Sequence, residues 1–433
     1  MSKTFKLEQG FSLGGWLRDT YTVENREINL PLHSDAYWMA QALRVSMAEV
    51  GKPPPNPAVG CVFVKNNQIV AQGATMSFGG LHAERRAIQE CVHPENLRGS
   101  DCYVTLEPCV HHGKQPPCVE ALVEMGIRRC IVAFQDPFPA VNGKGIQYLR
   151  QHGVEVRVGV LANECAAWHF PFLRALATSR PVLIGKWAQT LDGHLADDQG
   201  RSKWISGAEA RQHTHWLRQK YDAIAVGGPT ALLDQPSLDV RDCVGPINRH
   251  PIKLIYDPHA RLLQADSEQK SRISARLLQG EKVYWGIKAD KQMASSLSWW
   301  LEHEQLILVP LHADKTSFVD FVDEVAKLYP QNHGGRYLQS VLIEGGPRLL
   351  SSLIHSGVLD AAHVFMNPSF LGGQNFRIGS LQYNDQAKQS IAIDQRVHFQ
   401  PLHLQNLGKD LLWDLIAPAA FEQVWGGLRL EES

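Results

Sequence analysis

From Asp35 to about Glu49 apolar residues recur at helical spacing, at Tyr37, Ala40, Leu43 and Met47, and predict an amphipathic helix. Val59–Val64 and Gln68–Gly73 flank Asn66-Asn67, the pattern of a strand hairpin. A helix is expected from near His82 to Cys91, then a strand at Cys102–Leu106, a helix at Cys118–Met125 and a strand at Arg129–Phe134. A helix at Gly145–His152 and a strand at Val154–Val158 follow. Strands alternating with helices imply an α/β sheet with helices on both faces. A polar break at Ala177–Pro181, after a helical stretch, closes this region. A second α/β pattern then starts, with strands at Val182–Trp187, Ala223–Val226, Lys253–Tyr256, Lys282–Trp285 and Ser340–Ile343. Helices fit Ala208–Lys220, Ser317–Leu328 and Arg348–His355, and Val397–Leu404 with Asp410–Leu415 reads as a closing strand pair. Residues 264–280 are polar and read as an exposed excursion. The chain is therefore expected to hold an extension at 1–34, one domain at 35–178 and a second at 179–433.

Length and composition narrow the class. The 433 residues allow two or three domains, and 44% hydrophobic with 20% charged residues is ordinary globular composition. A net charge of −1 without a long basic run argues against a dedicated nucleic-acid binder. Small anionic substrates stay open, since a site needs only local basic residues. No run approaches eighteen consecutive apolar residues, so no membrane span is expected, and the first residues lack the apolar core of a signal peptide. The eight cysteines are expected to be reduced in a cytosol, with Cys61, Cys102 and Cys130 buried in apolar runs.

Residues 105–118 read TLEPCVHHGKQPPC. Thiolates at loop spacing are good zinc ligands, but a catalytic zinc takes three protein ligands and keeps one position for water. His82 upstream is the candidate third ligand to Cys109 and Cys118, and Glu84, two residues on, is placed to face a metal-bound water without ligating the metal. Zinc lowers the pKa of such a water to about 7, and a neighbouring carboxylate can relay its proton to a leaving amine. This is the division of labour in zinc nucleobase deaminases, H-x-E followed by P-C-x-x-C. Taken singly, His-x-Glu also fits a solvated helix start, and two cysteines also fit core positions. In this order, with Pro108 before Cys109 and Asn56 upstream, the zinc reading is favoured.

The eight residues between the two cysteines, where common deaminases have two, make the spacing diagnostic. TLEPCVHHGKQPPC, with Asn56-Pro57-Ala58-Val59-Gly60-Cys61-Val62 and Gln135-Asp136-Pro137, resembles the deaminase domain of the bifunctional riboflavin-biosynthesis family RibD. Its usual form is close to TLEPCSHHGRTPPC with HPNPNVGCVIV earlier. The resemblance implies zinc on His82, Cys109 and Cys118, proton transfer by Glu84, and pyrimidine or ribose-phosphate contacts from Asn56, His111 and Lys114. Without it, Asn56 also suits a turn before Pro57, and His111 and Lys114 suit a loop surface. Val110, Leu81 and Arg85 depart from the family's common Ser or Ala, Pro and Val, which bears on substrate positioning and not on the ligand set.

The second region lacks a G-x-G-x-x-G fingerprint, so a Rossmann cofactor site is not supported. Its islands are Lys186–Gly193, Ser202–Gly207, Ala225–Thr230 and Leu342–Pro347. The Gly-Gly-Pro turns at 227–229 and 345–347 follow apolar strands, where backbone N–H groups can hold phosphates, although each alone also suits a plain strand-to-helix turn. Together the islands resemble the reductase half of the same family, which has a dihydrofolate-reductase-like fold and uses NADPH. The resemblance implies cofactor contacts from Ala188, Trp204, Thr230, Asp234 and Glu344, and ribosyl-phosphate contacts from Ser202, Arg218, Leu238 and Arg241, with Lys186 near the sugar. Arginine forks suit phosphate oxygens. Gln235 and Asp239 depart from the family pattern, and Asp239 would weaken phosphate binding if it pointed inward.

The expected fold is thus α/β throughout, a cytidine-deaminase-like zinc domain followed by a dihydrofolate-reductase-like domain. The implied chemistry is zinc-dependent removal of the 2-amino group from a ribosylamino-pyrimidinone phosphate, then NADPH reduction of its ribosyl to a ribityl chain. The expected partner is this phosphorylated pyrimidine, with no nucleic acid or membrane, in a cytoplasmic homo-oligomer (dimer or tetramer). A nucleoside or tRNA deaminase, a homologue in a specialised pathway with an altered or lost reductase, and a non-catalytic paralogue are the rivals.

Overall fold

The computed structural model describes residues 31–52, 56–112, 115–243, 246–288, 294–312, 316–372 and 397–426. Most of the 1–34 extension and Lys114 lie outside them. Contacts group the described chain into two units, 31–179 with 421–426, and 180–420. Phe421–Gly426, which the polarity pattern carries with the second region, groups with the first: Phe421 stacks on Trp425, Trp425 lies against Phe170, and Gln423 donates to the Ala177 carbonyl.

The first unit runs α1 (Asp35–Ala48), β1 (Gly60–Lys65), β2 (Gln68–Ala74), α2 (Ala83–Gln89), β3 (Asp101–Val104), α3 (Cys118–Glu124), β4 (Arg129–Val132), α4 (Lys144–Gln151), β5 (Glu155–Val158) and α5 (Ala162–Thr178). Ser34 caps α1 by accepting the Tyr37 N–H at 3.1 Å, and the helix buries Trp38, Met39, Leu43 and Met47. Asn66 and Asn67 take positive φ, which short polar side chains tolerate, and turn β1 antiparallel into β2. The strand order is β2-β1-β3-β4-β5, parallel from β3 to β5. Cys61, Cys102 and Cys130 are fully buried between the sheet and its helices, as their apolar runs indicate.

The second unit runs β6 (Val182–Thr190), α6 (Ala208–Lys220), β7 (Ala223–Gly227), α7 (Gly228–Asp234), β8 (Ile252–Tyr256), α8 (Ser267–Arg276), β9 (Val283–Ile287), α9 (Ala294–Leu301), β10 (Leu306–Pro310), α10 (Phe318–Asn332), β11 (Ser340–Ile343), α11 (Pro347–His355), β12 (Ala361–Asn367), β13 (Gln400–Leu407) and β14 (Asp410–Ile416); α12 (Pro418–Trp425) follows, most of it grouping with the first unit. Among the described residues the strands form one sheet in the order β10-β9-β8-β7-β11-β6-β12-β14-β13. It is parallel from β10 to β12 and ends in the antiparallel β13–β14 pair read from the sequence. The chain leaves β7 toward β8 on one side and leaves β11 toward β12 on the other. The carboxyl ends of these two neighbours therefore flank a topological switch point, where open α/β sheets place their ligands.

One expectation fails. Residues 264–280 are not an exposed excursion: most of them form α8, with a capping box between Asp266 and Gln269 and with Ile273, Leu277 and Leu278 buried. The buried Lys253 ammonium donates to the carbonyls of Leu277 and Gln279, both at 2.9 Å, and satisfies the end of the helix. From the start of α8 to Gly280 only three apolar residues are buried, too few to outweigh the polar surface in a sequence pattern. β10 and β12 also escape that pattern; β12 carries His363 and Asn367 although it lies between two strands.

Gly60 opens β1 hard against α1, and a Cβ there would stand 1.9 Å from the Ala42 carbonyl oxygen. Gly60→Ala is expected to destabilise the first unit by at least about 2 kcal/mol, read from urea unfolding, because backbone rather than a flexible side chain must move.

Candidate functional site

In the first unit three segments converge. His82 is the N-cap residue of α2, Cys109 lies in the loop after β3, and Cys118 is the first residue of α3. His82 Nδ1 lies 3.4 Å from Cys109 Sγ and 3.5 Å from Cys118 Sγ, and the three ligand atoms all lie within 4.8 Å of one another. A tetrahedral zinc with Zn–N and Zn–S bonds of about 2.1 and 2.3 Å needs an N···S separation of about 3.6 Å. The donor set and its spacing fit zinc.

The protonation energetics agree. The hydrogen bond from Cys118 draws the Cys109 thiol down to about 4, with His82 adding to the effect. The contact with Cys109 raises His82. A divalent cation replaces these shared protons. Glu84 is 3% exposed, and burial, then the Cys109 charge, raises its carboxyl above the usual range.

The loops are held by residues the sequence reading did not single out for this purpose. Arg85 donates to the carbonyls of Pro116 at 2.8 Å and Pro117 at 2.7 Å, directly before Cys118. The residue marked as a family departure is thus a brace for a ligand. Glu107 accepts the N–H groups of Asp136, Gly143, Gly145 and Ile146 and fixes the 136–146 loop. Its TLEP position, two residues before Cys109, was the available signal. The His111 ring lies 6.0 Å from that of Phe138, and its buried Nδ1 has no hydrogen-bond partner among the described residues. Asn56 is half-buried before β1.

In the second unit the named islands gather at the carboxyl ends of β6, β7 and β11. Gly227 ends β7, Thr230 lies in α7, and a Cβ on Gly346 would lie 3.4 Å from Thr230 Oγ1. The two glycine turns therefore approach each other closely. Lys186 and Ala188 lie on β6, with Lys186 Nζ 5.0 Å from the Phe365 ring centroid, and burial lowers the Lys186 ammonium. Arg218 on α6 donates to both Glu344 oxygens, at 2.8 and 2.9 Å, and to the Asp239 carbonyl at 2.9 Å. Its fork is thus spent within the protein. Burial would raise Glu344, but Arg218 and then Lys186 outweigh it and hold the carboxyl at about 2. The Asp239 carboxylate pairs with Arg241, and both are partly exposed. Trp204 is 71% exposed under the Arg211 guanidinium, Ser202 and Asp234 are exposed, and Leu238 is buried. Asp410 was missed; it accepts Gly207 N–H and Asn367 Nδ2, each at 2.6 Å, and anchors the start of α6.

Residues 181–413 match the family model of the RibD C-terminal domain, and residues 32–134 match the cytidine and deoxycytidylate deaminase zinc-binding region. The chain is 35% identical over 395 residues to the riboflavin biosynthesis protein RibD of Actinobacillus pleuropneumoniae, covering 88% of this chain and 95% of that protein. With RibD of Escherichia coli (strain K12) it shares 31% identity over 348 residues, covering 78% and 89%. The solved RibD of Acinetobacter baumannii (form 1) is similar at a TM-score of 0.69 and 30% identity, covering 88% of this chain and 98% of that one. The deaminase/reductase of Thermotoga maritima gives a TM-score of 0.70 at 28% identity, with the same coverages.

Arg85→Ala is expected to weaken zinc retention by about 10- to 100-fold in chelator competition, with the fold kept. Glu344 titrates at about 2 in the folded chain against 4.5 for a free glutamate. The stability it contributes is full above about pH 4.5 and lost as pH falls toward 2. Glu344→Gln is therefore expected to flatten the acid limb of the second unit's unfolding profile.

Proposed function

The chain belongs to the RibD family of riboflavin biosynthesis, and from that membership we propose how its own residues divide two reactions. It is a bifunctional enzyme, a zinc-dependent deaminase joined to an NADPH-dependent reductase. It removes the 2-amino group from the diaminopyrimidinone that carries a ribosylamino 5′-phosphate, and reduces the ribosyl group of the product to a ribityl chain. The observation that carries this reading is the convergence of His82 Nδ1, Cys109 Sγ and Cys118 Sγ beside the buried Glu84.

His82, Cys109 and Cys118 hold the zinc, which when bound supplies a Lewis acid that acidifies water at the ring carbon to be attacked. Glu84 takes the proton from the attacking water and delivers it to the departing amino group. Its burial suits the first half of the task, since a raised carboxyl is a stronger base toward the attacking water, and it brings the group closer to the working pH at which it can also return the proton. Asn56, His111 and Lys114 contact the pyrimidine or its ribose phosphate. Arg85 and Glu107 keep the loops in register.

NADPH, when bound, supplies the hydride for C1′ of the sugar. Ala188, Trp204, Thr230, Asp234 and Glu344 hold it across the switch point, with the glycine turns for its phosphates. Lys186, Ser202, Leu238 and Arg241 surround the sugar phosphate. Arg218 stands at the edge of that site and acts by fixing Glu344 and the Asp239 carbonyl. Asp239 lowers the net charge that Arg241 presents, which favours a weaker phosphate grip and not its loss. A cytoplasmic location and a homo-oligomer complete the reading; all eight cysteines are free, and none of the described helices is long and apolar enough to cross a membrane.

Mass spectrometry of the products from the phosphorylated diaminopyrimidine, with and without NADPH, tests both halves. Glu84→Gln is expected to lower deamination by about 10²- to 10⁴-fold while zinc content and NADPH oxidation with the deaminated intermediate stay at the parent level. A variant that deaminates as fast as its parent overturns the role of Glu84. No loss of NADPH absorbance with that intermediate overturns the reductase assignment.

A further inference from the structure

The rim of the second sheet opposite the glycine turns carries a cavity that neither reaction uses. It has a volume of about 300 Å³ and lies at the amino ends of β7, β8, β9 and β11, with Asp222, Arg249, Tyr329, His333 and Arg336 in its wall. Asp222 is buried, and its carboxylate is already saturated. It accepts from Arg249 Nη1 at 2.7 Å, Gln339 N at 2.8 Å, Ser340 N at 3.0 Å and Ser340 Oγ at 3.2 Å. Its charge is therefore consumed by its own surroundings.

The two guanidinium groups differ. Arg249 is the cation that neutralises Asp222, and it gives Nη2 to the carbonyls of Gln219 and Lys220, both at 3.3 Å, which leaves only its buried Nε without a hydrogen-bond partner among the described residues. Arg336 spends Nε on the His333 carbonyl at 3.0 Å, and among the described residues neither of its Nη groups makes a hydrogen bond. The His333 ring stacks on Tyr329 with centroids 4.1 Å apart, giving the cavity one flat aromatic wall. Glu281 stands at the exposed rim, where solvent screens it. A half-enclosed space in which Arg249 neutralises the acid and Arg336 keeps both Nη groups attracts an anion whose oxygens match a planar fork.

We propose that this cavity binds a phosphate-sized oxyanion, free or as the monoester of a small molecule, at a place separate from both reaction centres. The test is thermal unfolding of the intact, zinc-loaded chain with NADPH present, titrated with inorganic phosphate or glycerol phosphate at an ionic strength held constant with chloride. The midpoint is expected to rise with phosphate, and the larger response of the two identifies free anion or monoester as the better occupant. Arg336→Gln is expected to need at least tenfold more phosphate for the same rise, as loss of a charge-assisted fork implies, with kcat/KM unchanged for both reactions. An unaltered phosphate response in Arg336→Gln overturns the proposal. Should that variant fail to fold, a crystal of the parent chain grown with saturating tungstate decides: density between Arg249 and Arg336 supports the site, and a cavity without tungstate overturns it.

Discussion

An imidazole nitrogen and two thiol sulfurs held within a few ångströms form an arrangement that shares protons among its members and that a divalent cation can take over. The rest of the first unit is built around it. Three separate segments deliver the ligands, and each is pinned by contacts that do not depend on metal. Gly60 lets β1 press against α1, which fixes the sheet from which the Cys109 loop departs. Arg85 ties the carbonyls before Cys118 to α2, the helix that His82 opens. Glu107 collects four backbone donors behind the loop. The cost of bringing thiolates together is thus met by ordinary hydrogen bonds made elsewhere, which leaves the zinc affinity available for chemistry.

The second unit solves a different problem with the same economy of position. The site proposed for it lies at the carboxyl ends of parallel strands, and the connections out of β7 and β11 run in opposite directions. A crevice follows from that topology alone. The Arg218–Glu344 pair crosses it as a half-buried, doubly hydrogen-bonded link between α6 and the end of β11. Such a pair fixes geometry, because either partner left alone would be an unpaired charge in partly closed ground. Asp239 fits this picture: its carbonyl completes the Arg218 fork while its carboxylate turns to Arg241.

The departures from the family pattern illustrate how far local reading goes. Arg85 replaces a common valine, and on sequence grounds it put substrate positioning in question. In the fold it points at two proline carbonyls of another segment and braces a ligand. The family resemblance implied a phosphate contact for Arg218; the fold turns its donors to Glu344 and Asp239. In both cases the residue's chemistry was legible and its partners were not, since they lie 21 to 126 positions away in the chain.

By itself the sequence determined the alternation of helices and strands, the turn at Asn66-Asn67, the zinc donor set and its acid–base partner. These are properties of spacing and residue type within short windows. It also carried the glycine turns, though not what they face. Only the tertiary structure decided that 267–276 is a helix held at its end by Lys253, that β12 lies between β6 and β14, and that the Glu344 charge belongs to Arg218. Each of these depends on which surfaces meet across distant stretches of chain. A polar segment with three inward apolar residues, or a charged side chain with one long-range partner, leaves no periodic signal, because the energy that fixes it comes from contacts no local window contains.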